Sequence, residues 1–272
     1  MINPEQFRFF ADMLKETSGL ALTKGKEYLL ESRLNELAKI LGLKDLDALY
    51  QKAKFQCPPK LKEQIIEAMT TNETYFFRDQ HPFDALQKNI IPEVIKKNSA
   101  TKRMKIWSAA CSTGQEPYTI AMILAEHFSS IATWNTEILA TDISKQAVQK
   151  GREGRFTQVE VNRGLPITML IKYFKQEGAF WIADAKLKKN LRFQPFNLMA
   201  PFTGKSGFDI ILCRYVLIYF DPQTKKQILG KLTNALAPGG FLMLGATETP
   251  IGLSPNMKRV MFGKTTCWQK QG

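Results

Sequence analysis

Two carboxylates, Glu116 and Asp142, stand where they could hold a polar ligand. Glu116 lies near the end of the run I-W-S-A-A-C-S-T-G-Q-E-P-Y, Ile106 to Tyr118. There an apolar strand passes into a turn of small residues, and Glu116 and Pro117 open a helix. A second apolar run, Glu137 to Thr141, delivers Asp142 where an acid can accept bonds from a pair of ribose hydroxyls. Asp142 or Ser144 could also cap the helix that follows, but the ribose role is favoured because Glu116 and Asp142 fall at the ends of adjacent predicted strands. No bulky side chain blocks the turn, so the chemistry implied is that of an enzyme using a nucleotide-like cofactor.

The turn contains only one glycine, Gly114, and neither G-x-G-x-x-G nor G-K-S/T occurs there. Closing a backbone on a pyrophosphate needs several glycines, whereas a cofactor without phosphates needs only small residues. S-adenosylmethionine meets that condition: its amino and carboxylate ends want acid and donor groups, its ribose an acid such as Asp142, its adenine an apolar wall. Cys111 in the turn reads as a small apolar filler. The four cysteines form no C-x-x-C and the two histidines, His81 and His127, are far apart in sequence, so no metal is expected.

With 44% apolar and 23% charged residues in 272, the composition is that of a globular chain, not a disordered or fibrous one. The net charge of +13 raises nucleic acid, anionic membrane or acidic protein as partners. Residues 1–70 are nearly balanced, with 11 Lys+Arg against 10 Asp+Glu, while 151–196 hold 9 against 4 and 197–272 hold 9 against 3. The surplus is therefore carboxy-terminal. The amino terminus has neither basic head nor apolar run, and Phe208–Phe220 is too short and too interrupted to span a bilayer. A cytoplasmic protein without membrane insertion is expected.

These groups need a scaffold. Asn3 and Pro4 start an amphipathic helix that Gly19 stops; helices over about 24–41, 46–55 and 59–69 follow, so residues 1–70 form a helical domain. It is either a packing cap or a substrate-facing lid. Residues 71–100 form a linker with a helix from about Phe83 to Lys97, and 101–272 a second domain. Strands at 104–109, 136–141, 208–213 and 241–245 alternate with helices from Pro117, Ser144 and Pro222, which predicts an α/β, doubly wound and largely parallel sheet. Short strands at 180–183 and 191–196 break the rhythm and predict a small inserted β subdomain over about 151–196.

Six segments carry a family resemblance: T-N-E-T-Y-F-F-R (71–78), W-S-A-A-C-S-T-G-Q-E-P-Y (107–118), A-T-D-I (140–143), F-N-L (196–198), I-L-C-R-Y-V-L-I-Y-F (211–220) and L-A-P-G-G (236–240). Together they make the chain resemble the bacterial chemotaxis receptor methyltransferases, the CheR family, over nearly its whole length. The resemblance implies a Rossmann-like S-adenosylmethionine-dependent methyltransferase domain with a β insertion, an all-α amino-terminal domain, and methylation of glutamates on the cytoplasmic signalling helices of chemoreceptors, leaving S-adenosylhomocysteine. It implies cofactor contacts from Asn72, Thr74, Arg78, Glu116 (the methionine end), Asp142 (the ribose), Asn197 and Leu198 (the adenine), Arg214 and Tyr215. Arg78 and Tyr219 would be catalytic, although Tyr219 also reads as a core aromatic.

A glutamate, with a reference pKa of about 4.3, is already an anion near neutrality and needs no general base to attack a sulfonium methyl. Catalysis is then placement, and Arg78 is a fork able to draw a carboxylate to the methyl group. Relatives commonly carry Asn where this chain has Tyr215. The segment K-Y-F-K-Q-E-G-A-F-W (172–181) is short beside the glycine-bearing loop of members that tether to a receptor pentapeptide, so tether independence is expected. A basic face on the second helix, Lys24, Lys26, Arg33 and Lys39, would meet the receptor, although Glu27, Glu31 and Glu36 share that helix. The rivals are a nucleic-acid methyltransferase, against which stands the absence of an N-P-P-Y-type signature, and a non-catalytic cofactor sensor. A monomer is the default.

Overall fold

The computed structural model describes residues 2–23, 25–248, 250 and 253–272. The chain divides into two compact units, Met1–Thr71 with Tyr219–Thr224, and Asn72–Ile218 with Lys225–Gly272. The segment Tyr219–Thr224, which motif order places in the second domain, thus groups with the helical one.

The first unit contains α1 (Pro4–Ser18), α2 (Glu27–Ile40), α3 (Leu46–Phe55) and α4 (Pro59–Met69). Helix α1 starts with a capping box, in which the Gln6 N–H donates to Asn3 (2.9 Å) and the Asn3 N–H to Gln6 (3.0 Å), and ends at Gly19. Phe10, Leu14, Leu30, Leu34, Leu49 and Ile65 are buried in its core. Arg33, anticipated on a docking face, donates instead to the Met69 (2.8 Å) and Thr70 (3.1 Å) carbonyls and the Thr71 hydroxyl (3.0 Å). It satisfies carbonyls that the end of α4 leaves open. Lys24 lies outside the described residues.

In the second unit α5 (His81–Ala85), a π turn (Leu86–Ile90) and α6 (Ile91–Lys97) form one connecting helix. Then come β1 (Arg103–Ala109), α7 (Gln115–His127), β2 (Asn135–Asp142) and α8 (Lys145–Glu153). The insertion holds β3 (Arg155–Thr157), α9 (Gln158–Asn162), α10 (Ile167–Tyr173), β4 (Phe174–Glu177), β5 (Phe180–Ala183) and α11 (Ala185–Lys188). The chain closes with β6 (Leu191–Pro195), β7 (Phe208–Cys213), α12 (Pro222–Ala235), β8 (Leu236–Leu244), β9 (Met257–Phe262) and β10 (Thr265–Lys270).

The main sheet runs β6-β2-β1-β7-β8-β10-β9, parallel from β6 through β8 and antiparallel at β10 and β9. This is the expected α/β architecture, with two corrections. The strand at 191–195 pairs with β2 at the edge of the main sheet rather than within the insertion, whose own sheet is β3-β5-β4. The β9–β10 hairpin, turning at Gly263 and Lys264, extends the sheet beyond the last strand the pattern predicts. Successive strands step one way from β1 to β2 and β6, and the other way from β7 to β8. The crevice at the carboxyl ends of β1 and β7 is therefore the switch point where such sheets bind ligands. Among the described residues no helix is long and apolar enough to cross a membrane.

Candidate active site

The turn after β1 is held in a conformation few residues adopt. Ala110, Ser112 and Gly114 have φ of 64°, 50° and 99°. Such non-glycine values cost about 1–3 kcal/mol each and persist only where the surroundings enforce them. Here the end of β2 enforces them: the Cys111 N–H donates to the Thr141 carbonyl (2.8 Å) and the Ser112 N–H to Asp142 Oδ2 (2.8 Å). Asp142 Oδ1 accepts from the Ser144 N–H (2.9 Å), while Ser144 itself caps α8 through the Ala147 N–H (2.9 Å). Ser144 is thus the cap of α8, and the buried Asp142 carboxylate is aimed at the turn. The Phe196 N–H donates to the Asp142 carbonyl (2.8 Å), which puts Asn197 and buried Leu198 next to the same strand end. Asn197 Oδ1 accepts from the Met199 N–H (2.9 Å).

The arm 72–80 meets this turn within the same unit. Ser112 Oγ donates to the Asn72 carbonyl (2.9 Å), and Asn72 Nδ2 reaches Ser144 Oγ at 3.5 Å. Thr74 is half-buried along the arm. At its far end Phe77, Asp79 and Gln80 again have positive φ, 51°, 70° and 44°.

A second network centres on Arg214, buried after β7. Its Nη1 donates to Glu116 Oε2 (2.9 Å), and its Nη2 to Asp79 Oδ2 (2.8 Å) and the Arg78 carbonyl (2.7 Å). Glu116 Oε1 accepts from the Ser108 hydroxyl (2.8 Å). Arg214 Nε is buried with no hydrogen-bond partner among the described residues. Two carboxylates around one guanidinium compensate its desolvation, so loss of one still leaves the other paired with it, whereas removing both would strand a buried charge at a cost of about 3–5 kcal/mol.

Tyr215, with φ of 58°, donates its hydroxyl to Asp79 Oδ2 and lies under the Arg78 guanidinium at 3.8 Å from the ring centroid. Burial, and then Asp79, push the Tyr215 phenol above its ordinary range, so it stays a neutral donor. Arg78 also donates to the Glu73 carbonyl (2.7 Å) and remains half-exposed. The Tyr215 ring is thus shown carrying Arg78. Tyr219 belongs to the other compact unit, where its carbonyl accepts from the Ala21 N–H (2.9 Å).

Three participants were not singled out from sequence. Asp79 directly follows the arm motif and could have been noticed there. Ser108 lies inside the turn motif as an unremarked hydroxyl. Glu248 gave no local signal, yet its Oε2 accepts from the Gly245 (2.7 Å) and Tyr215 (2.8 Å) N–H groups and its Oε1 from those of Val216 (2.9 Å) and Leu217 (2.7 Å). Cys111 is no nucleophile: burial foremost, then Asp142 and Glu116, push its thiol well above the ordinary range. A hollow of about 640 Å³ near Arg103, Lys105 and Asp209 opens at the amino ends of β1 and β7, away from this chemistry.

Two oriented carboxylates, Glu116 in the first turn of α7 and Asp142 at the end of β2, beside a turn of small residues, suit a ligand offering paired hydroxyls and an ammonium group. Residues 72–267 match the family model described as CheR methyltransferase, SAM binding domain, and residues 5–70 the CheR methyltransferase all-alpha domain. The chain belongs to the CheR methyltransferase family. A chemotaxis protein methyltransferase of Pseudomonas putida is 40% identical over 97% of this chain and 96% of its own. Another from Pseudomonas aeruginosa is 38% identical over 89% of each, and one from Borreliella burgdorferi 36% over 89% and 87%. Among solved structures, TrmN from Thermus thermophilus aligns at 16% identity and TM-score 0.38, over 66% of this chain and 47% of that one. This CheR methyltransferase is accordingly an S-adenosylmethionine-dependent enzyme, and the donor set fits that cofactor.

Proposed function

We propose that the enzyme forms methyl esters on glutamate side chains in the cytoplasmic helices of chemoreceptors, and that it does so without a receptor pentapeptide tether. The observation that carries this reading is Arg78, a half-exposed guanidinium stacked on Tyr215 and tied to the Glu73 carbonyl. Held on a flat ring, the fork keeps its orientation while presenting N–H groups to an incoming carboxylate. When bound, S-adenosylmethionine supplies an electrophilic methyl on a sulfonium.

In this reading Asp142 accepts ribose hydroxyls and Glu116 an ammonium group; the hydrogen bonds that already orient each acid support it. Asn72 and Thr74, in the same reading, contact the cofactor from the arm and Asn197 and Leu198 from beyond β6; in support, Asn72 meets Ser112 and Ser144, the Phe196 N–H ties its segment to the end of β2, and Arg214 braces Glu116 and the arm together. The substrate glutamate is ionised at neutral pH, so no residue need take a proton. Tether independence is supported by the β4–β5 connection, only Gly178 and Ala179 between paired Glu177 and Phe180. A two-residue turn offers no loop to hold a peptide.

The test is incubation with methyl-labelled cofactor and receptor cytoplasmic fragments, with RNA and DNA as parallel substrates. Base-labile label on the receptor fragment, released as methanol, is the expected result. Label on nucleic acid alone would reject the reading, and tight calorimetric binding of an aromatic receptor pentapeptide would reject tether independence.

A further inference from the structure

We propose that Arg163 reads a second acidic side chain on the substrate helix, one to two turns away from the glutamate that Arg78 holds. The inference rests on the receptor-helix reading above. Arg163 follows α9 in the insertion, and its position is set by the next residue. Gly164 has φ of 84°, and a Cβ there would run into the Phe76 carbonyl and come within 3.3 Å of the Tyr75 ring. Only glycine lets this turn seat against the arm. The Arg163 guanidinium then lies over the Tyr75 ring at 4.4 Å from its centroid, and the Arg78 guanidinium lies 5.6 Å from the same centroid. The two cations are therefore no more than about 10 Å apart. On a helix rising 1.5 Å per residue, acids four and seven residues apart are separated along the axis by about 6 and 10.5 Å. A pair of acids at such spacing spans the pair of guanidinia.

Arg163 is also available. Its side chain is 52% exposed, and the carboxylate it meets, Glu73 Oε1 at 2.5 Å, belongs to a side chain 53% exposed. An ion pair so open to water is weak and exchanges readily. Glu73 thus occupies the place a substrate carboxylate would take, and one acid replaces another without desolvating a new charge. The alternative is that the Arg163–Glu73 pair merely staples the insertion to the arm. The two roles differ in the sign of the Glu73 effect.

The experiment uses the full chain with two receptor cytoplasmic fragments, one with an acid four or seven residues from the methylated glutamate and one with that acid changed to glutamine. Arg163→Ala should raise KM for the acidic fragment roughly two- to fivefold, the range of exposed pairs, with kcat and S-adenosylhomocysteine affinity unchanged and no effect on the neutralised fragment. Arg163→Lys should restore part of the loss, and Glu73→Gln should lower KM. An unchanged KM in Arg163→Ala, an equal rise with both fragments, or a Glu73→Gln variant that behaves like Arg163→Ala would overturn the inference while leaving the receptor reading intact. No transfer by the unaltered enzyme to either fragment would overturn both.

Discussion

Replacing Glu248 by glutamine isolates how the loop after β7 is held. The carboxylate collects four backbone N–H groups at 2.7–2.9 Å, two on each oxygen. Three of them come from Tyr215, Val216 and Leu217, which keeps Tyr215 at its φ of 58° with its ring beneath Arg78. Glutamine is nearly the same size but has one acceptor oxygen, and its NH₂ would face donors, so two of the four bonds are lost. At about 1.5–3 kcal/mol for each bond to a charged group, the gross loss is about 3–6 kcal/mol. Glu248 is half-buried, and water can reach part of what is orphaned, which brings the expected destabilisation to roughly 2–4 kcal/mol. For a unit of this size that is a fall in Tm of roughly 5–15 °C. Thermal unfolding by circular dichroism reads it directly. Below that transition, methyl transfer should also drop, because a relaxed Tyr215 no longer carries Arg78. A variant melting within about 1 °C of the parent and keeping full activity would refute the role assigned to Glu248.

Other consequences are as direct. Arg78→Ala should cut kcat for receptor methylation by about 100-fold, the scale of a mispositioned reactant, in single-turnover assays; an unchanged rate would remove Arg78 from the chemistry. Asp142→Ala should weaken S-adenosylhomocysteine binding at least about 10-fold by calorimetry, the equivalent of 1.4 kcal/mol, and unaltered affinity would reject the ribose role. Asp221 accepts from the Thr224 N–H (2.8 Å) and pairs with Lys15 (3.0 Å), which together hold its carboxyl down to about 2. A carboxylate depressed in this way stabilises the fold above its unfolded pKa and ceases to do so as pH falls through the folded one. Asp221→Asn should therefore cost about 1 kcal/mol near neutrality, limited by solvent screening of exposed Lys15, and the gap from the parent should close between about pH 4 and pH 2. A gap that widens on acidification would contradict this.

Elements whose ends carry their own chemistry were legible in advance. Asn3, Pro4 and Gly19 delimit α1, and the apolar run 208–213 is β7. What failed was partnership. Leu191–Pro195 alternates in the same way whether it pairs with β2 or lies in the insertion, since periodicity reports a strand and not its neighbour. The β9–β10 hairpin did leave a signal, two strand-like runs around Gly263 and Lys264. At the site, Glu116 and Asp142 stood out because the small-residue turn advertises a cleft. Glu248 did not, because it serves backbone N–H groups about 30 residues earlier in the chain. Arg33 shows the converse: a helix-face cation that resembles a docking group is engaged by the carbonyls at the end of α4.

The most direct test of the central claim is tandem mass spectrometry of a chemoreceptor cytoplasmic fragment after incubation with the enzyme and S-adenosylmethionine. The account predicts one added methyl group on a glutamate side chain, removed by mild base and strongly reduced over the same incubation with Arg78→Ala. A methyl group found only on lysine, arginine or nucleic acid, and stable to base, would contradict it.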